Sequence, residues 1–273
     1  MKRTNLKRIF AGLLAALLLV LAGCAISAEK QTAQKDDSLQ KVLDAGQLVL
    51  GLDVSFPPMG FTDENGEIVG FDIDVAQEVC KRLGVRLVKQ GIDWDQKEDD
   101  LNGGKIDCIW NGFSVTPERA EKMNLSEPYM KNELIVVVLK GSDAKILADL
   151  KGRTVGVQKG ATAQEVLEAS KLFPDIEMKT YDTVETVVER LNEKEIDAAL
   201  IDSVFAYHYV FPSDNEYFSL SESLSEEEYA IGFRKGDGAL RDKVQEILRE
   251  MKADGTLGKI SQKWFDSDIT IVK

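Results

Sequence analysis

The chain carries a single histidine, His208, among 273 residues. One imidazole excludes most histidine-based metal sites and catalytic triads built on His, and His208 has no evident partner in the sequence. Cysteine is nearly as scarce, at three. Cys80 sits on an otherwise apolar helix face and Cys108 in an apolar run. Both read as buried thiols rather than as a disulfide, and two thiols alone make a poor metal site. Cations are short as well: 34 Lys and Arg face 47 Asp and Glu, a formal charge of −13. That deficit argues against nucleic acid or an anionic lipid surface as a partner. No repeat of roughly 20–50 residues recurs, which excludes a solenoid. What is present is ordinary globular composition, 44% hydrophobic and 30% charged, with room for one large or two modest domains.

The first 23 residues read as a leader. Lys2, Arg3, Lys7 and Arg8 precede an apolar run over 9–22, which is short of the ~20 residues of a stable span. It closes on Leu21-Ala22-Gly23-Cys24, which resembles the bacterial lipobox. The resemblance implies diacylglyceryl transfer to the Cys24 thiol, cleavage before it and export, with anchoring by lipid rather than by a span. The alternatives are a plain signal peptide with a chance cysteine and an uncleaved anchor. Loss of the four leader cations leaves 30 against 47 acids, about −17. Residues 24–39 are polar, without aromatics, and read as a flexible tether.

The most informative stretch is 106–119, IDCIWNGFSVTPER. It reads as a buried strand over 106–110, a short turn, and a helix start with Thr116 as N-cap, Pro117 at the first position and Arg119 in the first turn. A cation is out of place at a helix N-terminus unless an anion such as a carboxylate sits between the two. The alternative is a surface Arg119 paired with Glu118 or Glu121.

Around it, strands are expected over 47–52, 85–90, 133–140, 154–158, 177–181, 196–201 and 229–233. Helices are expected after Asp72 as cap, over 99–103, from Thr162 in a Thr-x-x-Glu capping box, over 184–191, 240–253 and 257–264. Asn65-Gly66 marks a hairpin. Alternation of this kind predicts a mostly parallel sheet with helices on both faces, and ligands in such sheets sit at the strands' C-terminal ends. Asp53, Phe56, Trp94, Asn111 to Ser114 and Arg119 all fall there. The acidic run 221–228 reads as solvated.

The pieces DVSFPPMGF, NGEIVGFDIDVA, DWD and WNGFSVTPER, then LKGRTVGVQKGATA, IDAALID and YAIGFRKGD, with MKADGTLGKISQKWF at the end, resemble in order the amino-acid-binding proteins of bacterial ABC importers, extracellular solute-binding protein family 3. The resemblance spans about 40–266. It implies a two-lobed α/β fold of the type II periplasmic-binding-protein kind, with mixed sheets, helices on both faces and hinge crossings near 129–133 and 226–230. Lobe 1 would comprise 40–132 plus 229–270, and lobe 2 would comprise 133–228. By residue, it implies Arg119 as clamp of the ligand α-carboxylate, with Gly112 and Ser114 assisting through N–H or hydroxyl. Asp202 takes the α-ammonium, Asp53 lies near the amine or side chain, Phe56 and Trp94 sandwich the side chain, and Gln158 and Thr162 contact the ligand from lobe 2.

Three positions depart from the family pattern. Asn111 stands where a small residue is frequent, Ala161 where a hydroxyl is, and Gln158 where some members carry a cation. Asn111 favours a polar ligand. No cofactor, metal or catalytic residue is implied. The expected partners are a free amino acid, a permease with its ATPase, and a membrane reached through lipid on Cys24. The expected form is a monomer on the outer face of the cell membrane. The rival readings are a dehydratase-like enzyme on the same scaffold, which lacks an evident acid/base set, and a ligand-sensing receptor subunit, which would need a separate signalling partner.

Overall fold

The computed structural model describes residues 36–213 and 216–273. The leader, Cys24 and most of the tether therefore lie outside the described residues. Ser38 and Leu39, read as the tether's end, open the first helix, α1 (Ser38–Ala45), which stops at Gly46 in the left-handed region.

Strand β1 (Gln47–Leu52) leads into a small antiparallel sheet of β2 (Ser55–Phe56), β3 (Gly60–Thr62) and β4 (Ile68–Val69), with Asn65-Gly66 turning between the last two. Helix α2 (Phe71–Leu83) follows, then β5 (Arg86–Gly91), α3 (Lys97–Asn102), β6 (Cys108–Ser114) and α4 (Pro117–Lys122). After β7 (Met123–Leu125) come the long β8 (Met130–Leu139), β9 (Thr154–Gln158) and α5 (Thr162–Ala169). Next are β10 (Glu177–Tyr181), α6 (Val184–Asn192), β11 (Ala198–Asp202) and a short turn of helix, α7 (Ser203–Phe205). The chain closes with β12 (Tyr217–Arg234), α8 (Gly238–Ala253) and α9 (Thr256–Phe265).

The strands form one sheet in the order β10-β9-β11-β8-β12-β6-β1-β5, with β7 also on β12. The three strands on each flank are parallel to one another. The central pair, β8 and β12, runs antiparallel and joins the two halves, with Met130 opposite Tyr229 and Asn132 opposite Glu227. The sheet is thus mixed and continuous, because two long strands serve both halves. Side chains alternate as a pleat requires: Ile135 and Val137 join one core, and Leu134, Val136 and Val138 the other.

Several local expectations are corrected. Strand β6 continues through Asn111 to Ser114, where a turn was expected, because β12 supplies hydrogen-bond partners opposite Phe113 and Ser114. The run 221–228 is largely exposed, as expected, but it is also part of β12, paired with β8. Thr162 does not cap α5. Ala161 is the N-cap, without a side-chain bond, and the Thr162 hydroxyl points to Ser114 instead. Cys80 and Cys108 are both buried free thiols. Thr116 and Pro117 begin α4 as expected, with the Thr116 side chain accepting from the Arg119 amide.

Asp72 is corrected most. Gly70 is the N-cap of α2, and Asp72 is its second residue, in the first turn and fully buried. Its Oδ2 accepts from the Gly112 amide at 2.8 Å and the Tyr129 hydroxyl at 2.9 Å. Burial pushes this carboxyl up to about 7, opposed by those two bonds. A carboxyl raised on folding favours the protonated native state. Its contribution is therefore full below about pH 4 and is lost as pH rises through about 7. Asp72→Asn keeps an acceptor for Gly112 and Tyr129 and removes the titration. It should stabilise the protein by on the order of 2 kcal/mol at pH 8 and by little at pH 4.5. Urea midpoints at the two pH values check this, and an equal difference at both would refute it.

Candidate functional site

The ends of the sheet's strands converge. Asp53 follows β1, Asn111, Gly112 and Ser114 end β6, Gln158 ends β9 and Asp202 ends β11. Phe56 lies in β2, Trp94 opens a short 3-10 turn after β5, Arg119 is in the first turn of α4 and Thr162 opens α5. All ten, together with Ala161, line one cleft of about 320 Å³. The two halves of the sheet both contribute, so only the tertiary arrangement assembles it.

Arg119 is 2% exposed. Its guanidinium lies over the Phe113 ring at 4.2 Å, and Nη1 donates to the Ser114 carbonyl at 2.9 Å. Nη2 stands 3.7 Å from Glu165, too far for a hydrogen bond, and both Nη2 and Nε are buried without a hydrogen-bond partner. Burial lowers its pKa, while Glu165, Glu227, Glu98 and Asp202 pull the other way. A guanidinium remains a cation throughout. A buried cation with two unpartnered nitrogens in a planar fork matches a carboxylate's two oxygens. Helix α4 has only six residues, so the capacity to hold an anion rests on the side chain more than on the helix end.

Two expected helpers are already engaged. The Gly112 amide donates to Asp72, so it does not offer its N–H to the cleft. Its role there is steric: it has φ +56, and a Cβ would meet the Phe56 ring at 2.8 Å. The Ser114 hydroxyl donates to Glu227 at 2.8 Å and accepts from Thr162 at 3.2 Å.

The polar end of the cleft is tightly bonded. Asn111 Oδ1 accepts from the Asp53 amide at 3.0 Å, leaving Nδ2 buried and unpartnered. Asp53 accepts from Ser55 on one oxygen and from Gln158 Nε2 at 2.6 Å on the other. Gln158 also reaches the Asp182 carbonyl at 3.1 Å. The aromatic walls are separate. Phe56 stacks on Phe205 at 5.7 Å, and Trp94 meets Phe113 edge-on at 6.1 Å.

Asp202 Oδ1 accepts from Asn132 Nδ2 and from the Tyr229 hydroxyl, each at 2.6 Å. Burial, and then the neighbouring Glu227 carboxylate, push its carboxyl up to about 7.

Sequence reading missed Asn132, Glu227, Tyr229 and Lys97. The first three meet only through the register of β8 with β12, which no local pattern encodes. Lys97 precedes the helix expected over 99–103, and it is buried. Its Nζ donates to the Trp94 carbonyl at 3.1 Å and the Gly160 carbonyl at 2.8 Å. Burial lowers its pKa to about 8. Lys159 pairs with Asp95 at 2.9 Å and does not line the cleft.

Known proteins resemble the chain along most of its length. The L-cystine-binding protein TcyJ of Escherichia coli strain K12 is 32% identical over 258 residues, 93% of this chain and 96% of that one. The arginine-binding extracellular protein ArtP of Bacillus subtilis is 31% identical over 259 residues, 92% and 98% of the two chains. An ABC uptake transporter substrate-binding protein from Streptococcus pneumoniae, solved with bound histidine, superposes with a TM-score of 0.83 at 37% identity, covering 86% of this chain and 98% of that one. These relatives are binding proteins, not enzymes, and the two-lobed fold is theirs. The family model matches residues 48–267, and the chain belongs to the bacterial extracellular solute-binding proteins, family 3.

Proposed function

We propose that this amino-acid-binding protein captures one amino acid with a polar, non-acidic side chain in the cleft and delivers it to the permease of an ABC importer. The observation that carries the reading is the buried Arg119 guanidinium with two unpartnered nitrogens, aimed into a cleft that also holds Asp202. Arg119 takes the α-carboxylate and Asp202 the α-ammonium. Phe56 and Trp94 flank the side chain. Asp53, Asn111 and Gln158 meet its far end, with Thr162 and Ser114 beside the carboxylate.

Two carboxylates against one guanidinium in the lining oppose a second negative charge on the ligand. The free Asn111 Nδ2 and the Asp53 oxygens suit a side chain that both accepts and donates hydrogen bonds. That named relatives bind cystine, arginine and histidine agrees with this class.

Residues 40–132 with 229–270 form one lobe and 133–228 the other, and they close as β8 and β12 flex. Closure is favoured by contacts that only the closed form makes, among them Gln158 to Asp53 and Thr162 to Ser114. Lipid on Cys24 holds the monomer at the outer face of the membrane. No helix among the described residues is long and apolar enough to cross one.

A thermal-shift screen of the twenty amino acids and cystine tests the ligand class. Polar, non-acidic members should raise the melting temperature. Stabilisation by glutamate or aspartate above all others would refute the side-chain class, and no shift with any amino acid would refute the function.

A further inference from the structure

We propose that Glu227 is a positioning residue of the ammonium seat, forming with Asp202 a pair of carboxylates that the ligand's cationic amine completes. This rests on the amino-acid reading above.

Asn132 and Glu227 face each other across β8 and β12. Asn132 is buried, and its Oδ1 accepts from the Ser203 hydroxyl at 3.1 Å and the Val204 amide at 3.4 Å. Those two donors fix the amide's orientation, turning its NH₂ toward the acids. That single Nδ2 then serves both carboxylates, Asp202 Oδ1 at 2.6 Å and Glu227 Oε2 at 3.1 Å. Ser114, in the cleft wall, donates to the same Glu227 oxygen at 2.8 Å, and Tyr229 donates to Asp202 at 2.6 Å. Asn132, Ser114 and Tyr229 are all neutral. Two acids are thus gathered on one amide, and neither joins an ion pair within 4.0 Å among the described residues; Arg119's contact runs to Glu165 at 3.7 Å.

The second sign that a ligand completes this seat is Arg119 itself. It lines the same cleft as Ser114 and Asp202, is buried, and has two unpartnered nitrogens. An anion site beside a paired-acid site describes the carboxylate and ammonium of one amino acid.

A like charge this close disfavours ionisation of Asp202, so without a cation Asp202 holds its proton more readily. The rise of Asp202 to about 7, through burial and then Glu227, agrees. The charged groups around the pair do not cancel this. Arg119 on α4 attracts both acids but is shared with Glu165 on α5. Lys131 on β8, in the adjoining groove, is outnumbered there by Glu133, Glu226 and Glu228. A docked ammonium replaces the proton. Binding therefore releases close to one proton at pH 6 and less at pH 8, and affinity rises between them by up to about tenfold per unit.

The test is calorimetry with the twenty L-amino acids and cystine, at pH 6 and pH 8, in buffers of different ionisation heat. Glu227→Gln keeps an oxygen for Asn132 and Ser114 but removes the charge. For each amino acid that the wild type binds, the variant should lose about tenfold in affinity at pH 8 and less at pH 6. Its proton release at pH 6 should shrink, with burial alone then holding Asp202 up. Glu228→Gln, an exposed acid on the same strand, should change neither quantity. Unchanged affinity and proton count in Glu227→Gln would overturn the proposal. So would an equal loss at both pH values with the same proton count, which marks a purely structural role. Absence of binding by the wild type would instead overturn the amino-acid reading, and this proposal with it.

Discussion

Arg119→Ala is expected to weaken binding of every amino acid ligand by roughly 100- to 1,000-fold, about 3–4 kcal/mol. On the proposed reading the guanidinium would supply a charge-assisted, bidentate contact away from water, and among the described residues no other cation lines the cleft. Its loss strands the ligand carboxylate in a wall that holds Asp53 and Asp202. The loss should be uniform across ligands, because the carboxylate is common to all of them. Arg119→Lys should fall between, since an ammonium keeps the charge but not the planar fork.

Stability should respond differently. Arg119 is a buried cation whose nearest acid, Glu165, has a side chain 41% exposed. Among the described residues Arg119 makes no ion pair within 4.0 Å with a buried carboxylate, so the ligand-free protein should lose little, chiefly the Phe113 contact and the bond to the Ser114 carbonyl. Calorimetry beside urea denaturation separates the two effects. A loss confined to one ligand, or binding left intact, would show that Arg119 reads something other than the carboxylate.

Gly70→Ala should destabilise the protein by roughly 3–5 kcal/mol. Gly70 has φ +143, and a Cβ there would stand 2.3 Å from the Met59 carbonyl oxygen and 2.8 Å from the Gly60 Cα. Both are backbone atoms, so no side chain can rotate away. The crowding has a cause: Phe71 and Asp72 donate their amides to the Pro58 and Met59 carbonyls, lacing that loop across the start of α2. Gly84→Ala is the control. It shares a positive φ, +75, but nothing lies within 4 Å, so it should cost only about 1 kcal/mol.

The damage from Gly70→Ala should reach the cleft. Gly60 packs against the Asn111 amide, and Asp72 holds the Gly112 amide, so moving either displaces the floor. A reduced ligand affinity should accompany the shifted urea midpoint. If the two alanine variants unfold within 1 kcal/mol of each other, the close-approach argument fails.

What could be read locally from the sequence follows local chemistry. The start of α4 is a capping event within four residues, so Thr116 and Pro117 announced it. The residues at the ends of β1, β6, β9 and β11 could be picked out because apolar runs stop there at polar groups. What could not be read depends on partners far along the chain. Asp72 looks like an N-terminal helix acid, and its burial is decided by Gly112 and Tyr129, which lie 40 and 57 residues away. Glu227 looks like one more solvated acid in a run of three. The β8–β12 register alone turns it to Asn132 and Ser114 while its neighbours stay exposed. Thr162 fits a capping box by spacing, but a hydroxyl across the cleft takes it.

By itself, then, the sequence determined the family, the alternation of strands and helices, and the residues at the strand ends, because each is written in order and short-range pattern. Tertiary structure alone decided which donors are already engaged, which nitrogens of Arg119 remain unpartnered, and that two carboxylates share one amide. Hydrogen bonds and desolvation act over a few ångströms, and only folding brings residues 95 positions apart within that range.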